Sequence, residues 1–346
     1  MDTEDYIKKV KQSLDFGRIK SVLDKAAKLN VLVVGDTIID TYVFVKPKGR
    51  AVKDPILSAE FISEENYAGG ILAIANHLSG FVSKVKVVTI IGDQRTNLDF
   101  IKKSVKGNVA VKTFLKKDSP TIIKKRFIDS HRNNKLFKIE YMNDKPITEE
   151  LSKEIVDYLD EELPKYDLAI VGDFGHGFIN EAIRRKLEEK ANFLAVNTQS
   201  NSANMGYNYF RLYNNMDFTS MDESELRLPL LRRFEDILEV IKEAKETFKL
   251  KKFMVTRGNK GSIFVANGNI FKAPIVTTSV KDTVGAGDAL FAITSLVVYL
   301  NADNDIVPFV ANCAGGIAAN IIGNKESVTK EMLLSFMEEK VFGNGS

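Results

Sequence analysis

Val31-Leu-Val-Val-Gly35 is an unbroken apolar run closed by a glycine. A strand with one wet face alternates apolar and polar residues. A run that is apolar at every position has to bury both faces, which is the situation of a strand inside a parallel sheet. The same signature returns at residues 85–92, 168–172, 193–196, 218–220 and 253–258. Residues 71–78, 148–163, 181–191 and 234–248 carry helical spacing and separate several of these runs. Buried strands alternating with helices predict an α/β fold whose parallel sheet is covered on both faces.

Two segments break that rhythm. Residues 41–67 and 109–141 alternate polar with apolar side chains, as in Val109-Ala-Val-Lys-Thr-Phe-Leu, Thr121-Ile-Ile-Lys-Lys-Arg-Phe-Ile and Lys135-Leu-Phe-Lys-Ile-Glu-Tyr. They predict antiparallel strands of a small accessory sheet, a lid over the carboxyl ends of the core strands. Residues 1–29 read as an amphipathic helical lead-in with Ile7, Val10, Leu14, Ile19, Val22 and Leu23 on its apolar side, and residues 30–340 as the main domain. The Asn- and Ser-rich stretch 197–208 is the most loop-like internal segment.

Composition sets the outer bounds. Of 346 residues 44% are hydrophobic and 27% charged, an ordinary globular balance that argues against disorder. The formal charge is +3, from 49 basic and 46 acidic residues, without a basic tract, so no nucleic-acid partner is expected. A single cysteine permits no internal disulfide and suits a reducing compartment. Cys313 lies in Asn312-Cys-Ala-Gly-Gly-Ile-Ala-Ala and reads as a buried small residue in a close-packed helix. The opening Met-Asp-Thr-Glu-Asp has no apolar signal core, and no apolar run is long enough for a bilayer. A cytoplasmic protein with no membrane partner is expected.

The chemistry concentrates in Asp282-Thr-Val-Gly-Ala-Gly-Asp288-Ala-Leu-Phe. Gly285-Ala286-Gly287 permits a tight turn before a helix expected over 289–300. Backbone N–H groups at such a helix start attract anions, and a transferring phosphoryl group is an anion whose charge must be held through the transition state. A carboxylate at Asp288 could accept the proton of an attacking hydroxyl. The bland alternative is a glycine turn with Asp288 capping the helix.

Asp282-Thr-Val-Gly-Ala-Gly-Asp288 resembles the C-terminal signature of the ribokinase-like, or PfkB, carbohydrate kinases, and the resemblance extends over roughly residues 30–330. It implies a three-layer α/β/α core with a β lid, ATP and Mg²⁺ as cofactors, Asp288 as base, and Gly285, Ala286 and Gly287 as anion hole. Val31-Leu-Val-Val-Gly-Asp-Thr-Ile-Ile-Asp40 is similar to the family's first strand and sugar-contacting aspartate, with Asp36 and Asp40 as candidates. Ala68-Gly69-Gly70 resembles the double glycine beside the sugar. Thr256-Arg257-Gly258-Asn-Lys-Gly261 resembles the nucleotide-side loop, which by itself reads equally as a hairpin turn, and Asn312 the position flanking adenine. Asp222-Glu-Ser-Glu225 stands where the family has Asn-x-x-Glu, so Asp222 and Glu225, with Asp282, are the expected magnesium set; the same run also reads as a solvated helix start.

Within the family the sequence is most similar to the D-glycero-D-manno-heptose-7-phosphate kinases of lipopolysaccharide biosynthesis. Gly35-Asp-Thr-Ile-Ile-Asp-Thr-Tyr42 resembles their Gly-Asp-x-x-x-Asp-x-Tyr, and Ser119-Pro-Thr-Ile-Ile-Lys124-Lys-Arg126-Phe their Arg-Pro-Thr-x-x-Lys-x-Arg lid strand. Gly172-Asp173-Phe-Gly-His176-Gly177 resembles their Ser-Asp-Tyr-x-Lys-Gly and adds Asp173 to the substrate set. Strand alternation puts Lys124 and Arg126 on one face, suited to a phosphorylated sugar or equally to an outer charged surface. The departures fall in the sugar half. Ala73 stands where an amide is expected, His176 replaces a lysine, and Asn197-Thr-Gln-Ser-Asn201 replaces Asp-Pro-Lys, with 202–208 as an addition. The expected activity is ATP-dependent phosphorylation of a sugar or sugar phosphate. Two other readings stand beside it: a sugar- or nucleotide-binding module that has lost catalysis, and the kinase half of a kinase/nucleotidyltransferase fusion, with Gly343-Asn-Gly-Ser as linker. Lid strands pairing between protomers would make a homodimer.

Overall fold

The computed structural model describes residues 3–201, 204–277 and 279–342; the 343–346 linker reading lies outside them. The lead-in is two helices, α1 (Thr3–Ser13) and α2 (Phe16–Ala26), divided at Asp15, whose side chain accepts from the Gly17 amide and starts α2 afresh. Tyr6, Val10, Ile19 and Leu23 pack into the main core, so these helices belong to the same body as the main domain.

The chain then runs through β1 (Asn30–Gly35), a long hairpin of β2 (Thr37–Arg50) and β3 (Leu57–Gly70), α3 (Ile71–Ser79), β4 (Lys84–Gly92), α4 (Leu98–Ser104) and β5 (Val109–Lys116). A second hairpin, β6 (Ile122–Asp129) and β7 (Lys135–Tyr141), precedes α5 (Glu149–Glu162), β8 (Leu168–Asp173), α6 (Glu181–Lys190) and β9 (Leu194–Thr198). Next come β10 (Phe218–Asp222), α7 (Glu223–Arg227), α8 (Ile237–Phe248), β11 (Lys252–Thr256), β12 (Ser262–Ala266) and β13 (Asn269–Ala273). Three helices close the fold: α9 (Ala286–Tyr299), α10 (Ile306–Ala318) and α11 (Lys330–Met337).

The main sheet has nine strands in the order β13-β12-β11-β10-β9-β8-β1-β4-β5. From β11 to β5 all pairings are parallel, and β12 and β13 continue antiparallel at one edge. Alternation along β1 explains the unbroken run that identified it. Val31 and Val33 face the layer containing α3, α9 and α10, while Leu32 and Val34 face α5, α6 and α8. Cys313 is fully buried in α10, as its neighbours in sequence implied.

The second sheet, β3-β2-β6-β7, is the lid. It corrects two expectations. Val109–Lys116 is not a lid strand but β5, paired parallel with β4 at the edge of the core. An edge strand of the core is partly exposed, and that gives the alternation read as a strand of the accessory sheet. The lid is also not wholly antiparallel, because β2 pairs with β6 in parallel. Both leave the core from the carboxyl end of a parallel strand, β2 directly after β1 and β6 after β5, so they emerge in the same direction.

Candidate functional site

Five neighbouring parallel strands deliver their following residues to one edge of the sheet. Asp36 follows β1, Asp173 ends β8, Gln199 follows β9, Asp222 ends β10 and Arg257 follows β11. The chain builds outward from β1 in both directions, through β4 on one side and β8 on the other, and this switch point is where open α/β sheets leave a crevice. The crevice is present as a cleft of about 270 Å³ lined by Asp40, Lys124, Arg126, Phe174, Gln199, Thr283, Gly285, Gly287 and Asp288, among others. A larger hollow of about 370 Å³ lies at the opposite, amino ends of the strands, beside Asp217 and Lys252, remote from this chemistry.

Helix α9 begins at Ala286, so Gly287 and Asp288 belong to its first turn rather than preceding it. The N–H groups of a first turn have no acceptor within the helix, and no side chain caps this one. Gly285 has φ +83°, and a Cβ there would collide with the Asn324 side chain, whereas a Cβ at Gly287 would meet nothing within 4 Å. The loop therefore offers bare backbone to open space, and this fits an anion such as a nucleotide phosphate.

Asp288 is 8% exposed, and among the described residues the one hydrogen bond to its carboxyl comes from Gln199, Nε2 to Oδ1 at 3.2 Å. Burial raises its pKa to about 7; the Asp40 charge adds to this, and Lys124 and the Gln199 amide oppose it. A carboxyl poised there can exchange a proton near neutral pH.

The lid supplies the opposite wall. Asp40, Lys124 and Arg126 do face the cleft, with Arg126 bonded to Asp40 and Lys124 4.0 Å from Glu140. Gly69 is required by this arrangement, since a Cβ would overlap the Asp40 carboxylate. Gly70 also lines the cleft.

Asp36 and Asp173 lie beneath the cleft. Asp36 is 0% exposed, and among the described residues neither of its carboxyl oxygens has a hydrogen-bond partner. Burial and then the Asp173 charge raise its pKa to about 7, against smaller opposing effects of the His176 amide, Lys124 and Lys116. Asp173 is held by the Tyr213 hydroxyl at 2.9 Å, the Asn208 amide at 3.2 Å and the Gly175 N–H at 3.1 Å. Both are built into the floor; Asp40 is the expected substrate aspartate that reaches the cleft.

The expected magnesium set does not assemble. Among the described residues no group of three or more His, Cys, Asp or Glu side chains could hold a metal ion. Asp282 is occupied elsewhere: it accepts from the Tyr42 hydroxyl at 2.5 Å, Lys135 Nζ at 2.7 Å and the amides of Val284 and Gly323, both at 3.1 Å. These partners hold its pKa low despite burial, and they make it a clamp between lid and core. Asp222 and Glu225 form a capping box on α7: Asp222 accepts from the Glu225 amide, and Glu225 accepts from the amides of Asp222 and Ser200. Burial raises the Glu225 pKa to about 7, with Asp222 adding to it. Both lie at the start of α7, Asp222 exposed as a solvated start requires and Glu225 buried. Each Glu225 oxygen takes one N–H, and Asp222 Oδ1 takes both the Glu225 amide and the Ser224 hydroxyl, so lone pairs remain that suit a hydrated Mg²⁺ bound chiefly by phosphate rather than an all-protein cage.

On the proposed nucleotide side, Arg257–Gly261 is the hairpin turn between β11 and β12, closed by Arg257 N–H to the Gly261 carbonyl at 2.9 Å. Arg257 pairs with Glu223 at 2.7 Å, and the Thr256 hydroxyl reaches the Met221 carbonyl at 3.4 Å. Asn312 donates both amide hydrogens to the carbonyls of Ala273 and Pro274, so it shapes the loop after β13. None of Thr256, Arg257, Gly258, Gly261 and Asn312 lines the cleft around Asp288.

Sequence reading missed Gln199, Tyr42 as a clamp, and Lys135. The signal for Gln199 was its position, one residue past a core strand, equivalent to that of Asp36 and Arg257.

The chain belongs to the pfkB family of carbohydrate kinases, whose family model matches residues 28–307. Curated relatives include the bifunctional protein HldE of Aliarcobacter butzleri, 24% identical over 311 residues, and that of Helicobacter pylori, 24% identical over 313 residues. The matches cover 88% of this chain but only 64% and 66% of those proteins. Among solved structures, Escherichia coli phosphofructokinase-2 superposes with a TM-score of 0.70 at 14% identity, covering 90% of this chain and 99% of that one. The ribokinase of Thermotoga maritima gives 0.67 at 18% identity with the same coverage. At such identities the structural likeness bears on the fold alone.

Proposed function

We propose that this chain transfers the γ-phosphoryl group of ATP to a hydroxyl of an anionic sugar, with a heptose 7-phosphate as the first candidate. The observation that carries the reading is Asp288, buried at the start of α9 beside open glycine backbone, with Lys124 and Arg126 across the same cleft. Asp288 takes the proton of the acceptor hydroxyl, and the first-turn amides after Gly285 steady the anion. Thr256, Arg257, Gly258, Gly261 and Asn312 would border the nucleotide, and Glu225 and Asp222 would hold magnesium through its waters. Bound Mg-ATP would supply the phosphoryl group with its charge partly neutralised. Lys124 and Arg126 bind the substrate phosphate. A phosphate that takes Arg126 from Asp40 frees that carboxylate to accept sugar hydroxyls, so one exchange of partners reads two parts of the ligand.

The test compares matched sugars with and without the distal phosphate. Arg126→Ala should raise KM roughly tenfold or more for the phosphorylated sugar, since charge-assisted bonds contribute ~1.5–3 kcal/mol. It should change the neutral sugar little. Equal kcat/KM for both sugars, in wild type and variant, would show that the lid does not read a phosphate.

Association through the lid belongs to the same reading. Its outer face exposes Phe61, Phe137, Ile139 and Tyr141. A second lid packed against it would form a homodimer, and mass in solution that stays monomeric at micromolar concentration would reject it.

A further inference from the structure

The Asn-rich segment after β9 departs from the family pattern, yet it is tied into the site at every turn. Gln199 N–H donates to the Asp173 carbonyl at 3.0 Å, and the Gln199 carbonyl accepts from Asn208 Nδ2 at 3.4 Å. Asn201 and Asn204 donate to the Phe174 carbonyl at 3.0 and 2.9 Å. The backbone of Gln199 is thus fixed on the loop that follows β8, and its side chain reaches Asp288, 89 residues away.

We propose that Gln199 is a positioning residue for Asp288: its amide holds Oδ1 and leaves Oδ2 as the oxygen that receives the hydroxyl proton. This rests on the kinase reading above. An amide N–H can only donate, so it favours the ionised carboxylate and occupies one lone pair of Oδ1. Without it the buried carboxyl could rotate between two equivalent oxygens. In the balanced step the acceptor O–H proton passes to Oδ2 while the acceptor oxygen bonds to the γ-phosphorus. The bond from that phosphorus to its bridging oxygen breaks, and the electron pair leaves with ADP. The other charged groups facing Asp288 are Asp40, Lys124 and Arg126, all from the lid. Removing Gln199 therefore changes the balance from the core side only.

The experiment is a titration of the full chain labelled with ¹³C-carboxyl aspartate, the resonance lost in Asp288→Asn being that of Asp288. Gln199→Leu removes a donor to the charged form and should raise the midpoint by roughly one pH unit. Gln199→Lys replaces the dipole with a cation and should lower it by roughly a unit or more. A residue that only packs would not move the midpoint in opposite directions. Midpoints unmoved in both variants, or moved the same way, overturn the proposal. The base reading is tested separately with ATP and a heptose 7-phosphate as probe substrates, the wild type turning them over. Lost turnover in Asp288→Asn with unmoved midpoints overturns the Gln199 role alone. Normal turnover in Asp288→Asn overturns the base assignment and the Gln199 role with it.

Discussion

Three carboxyls, Asp36, Glu225 and Asp288, are each pushed by burial to about 7. Each pKa is raised above its unfolded value, so the stability it contributes is complete below the unfolded pKa and is lost as pH rises through the folded one. The melting temperature should accordingly fall between about pH 4 and pH 7. The Asp36 carboxyl oxygens have no hydrogen-bond partner among the described residues, so Asp36→Asn should flatten that slope; an unchanged slope by calorimetry would remove it from the account. Catalysis has the opposite sign. Asp288 must be ionised to accept a proton, so kcat/KM should drop about tenfold per unit below pH 7. Asp288→Asn should cost ~10²–10⁴-fold in kcat. Asp288 was legible in the sequence because a glycine pair on a helix start leaves few other uses for the next carboxylate. The burial of Asp36 was not legible, because a residue after a strand reads as an ordinary turn.

At the level of elements, the Asp282 clamp joins β2, the start of β7 and the loops around Val284 and Gly323. Asp282→Ala would leave the Tyr42 hydroxyl and the Gly323 amide, both buried, without an acceptor. At ~1–3 kcal/mol for each such group, a clear loss of melting temperature is expected. Because Asp282 is held by protein donors, Asp282→Asn should leave the Mg²⁺ requirement unchanged while Glu225→Gln raises it. A magnesium titration of the two variants distinguishes a clamp from a ligand, and the reverse pattern would restore the ligand reading. Sequence could not separate these roles, since an aspartate six residues before Asp288 looks the same whether it meets a metal or a lysine from another sheet. Nor could it assign β5 or the parallel β2–β6 pair: alternation reports that one face is wet, not which strand lies alongside.

Over the whole molecule, what the sequence conveyed best was the sheet, because strands buried on both faces leave no room for polar residues, as Val31–Gly35 demonstrates. It conveyed least where the chain leaves that sheet. One residue, Asp36, separates β1 from β2, and the Ile71 N–H donates to the Asp36 carbonyl at 3.1 Å, pinning the exit of the lid to its entry. Strand β6 departs from the same base, where Thr121 Oγ1 accepts from the Gly92 amide at 3.1 Å. With the Asp282 clamp released, a sheet anchored only at its base is a lever. The 14 residues of β2 span roughly 46 Å at ~3.3 Å each, so a 10° rocking at Asp36 would sweep the far tip through roughly 8 Å. Val52, fully exposed in the turn at that tip, is therefore the place for a dye, where small events at the pin would be optically amplified.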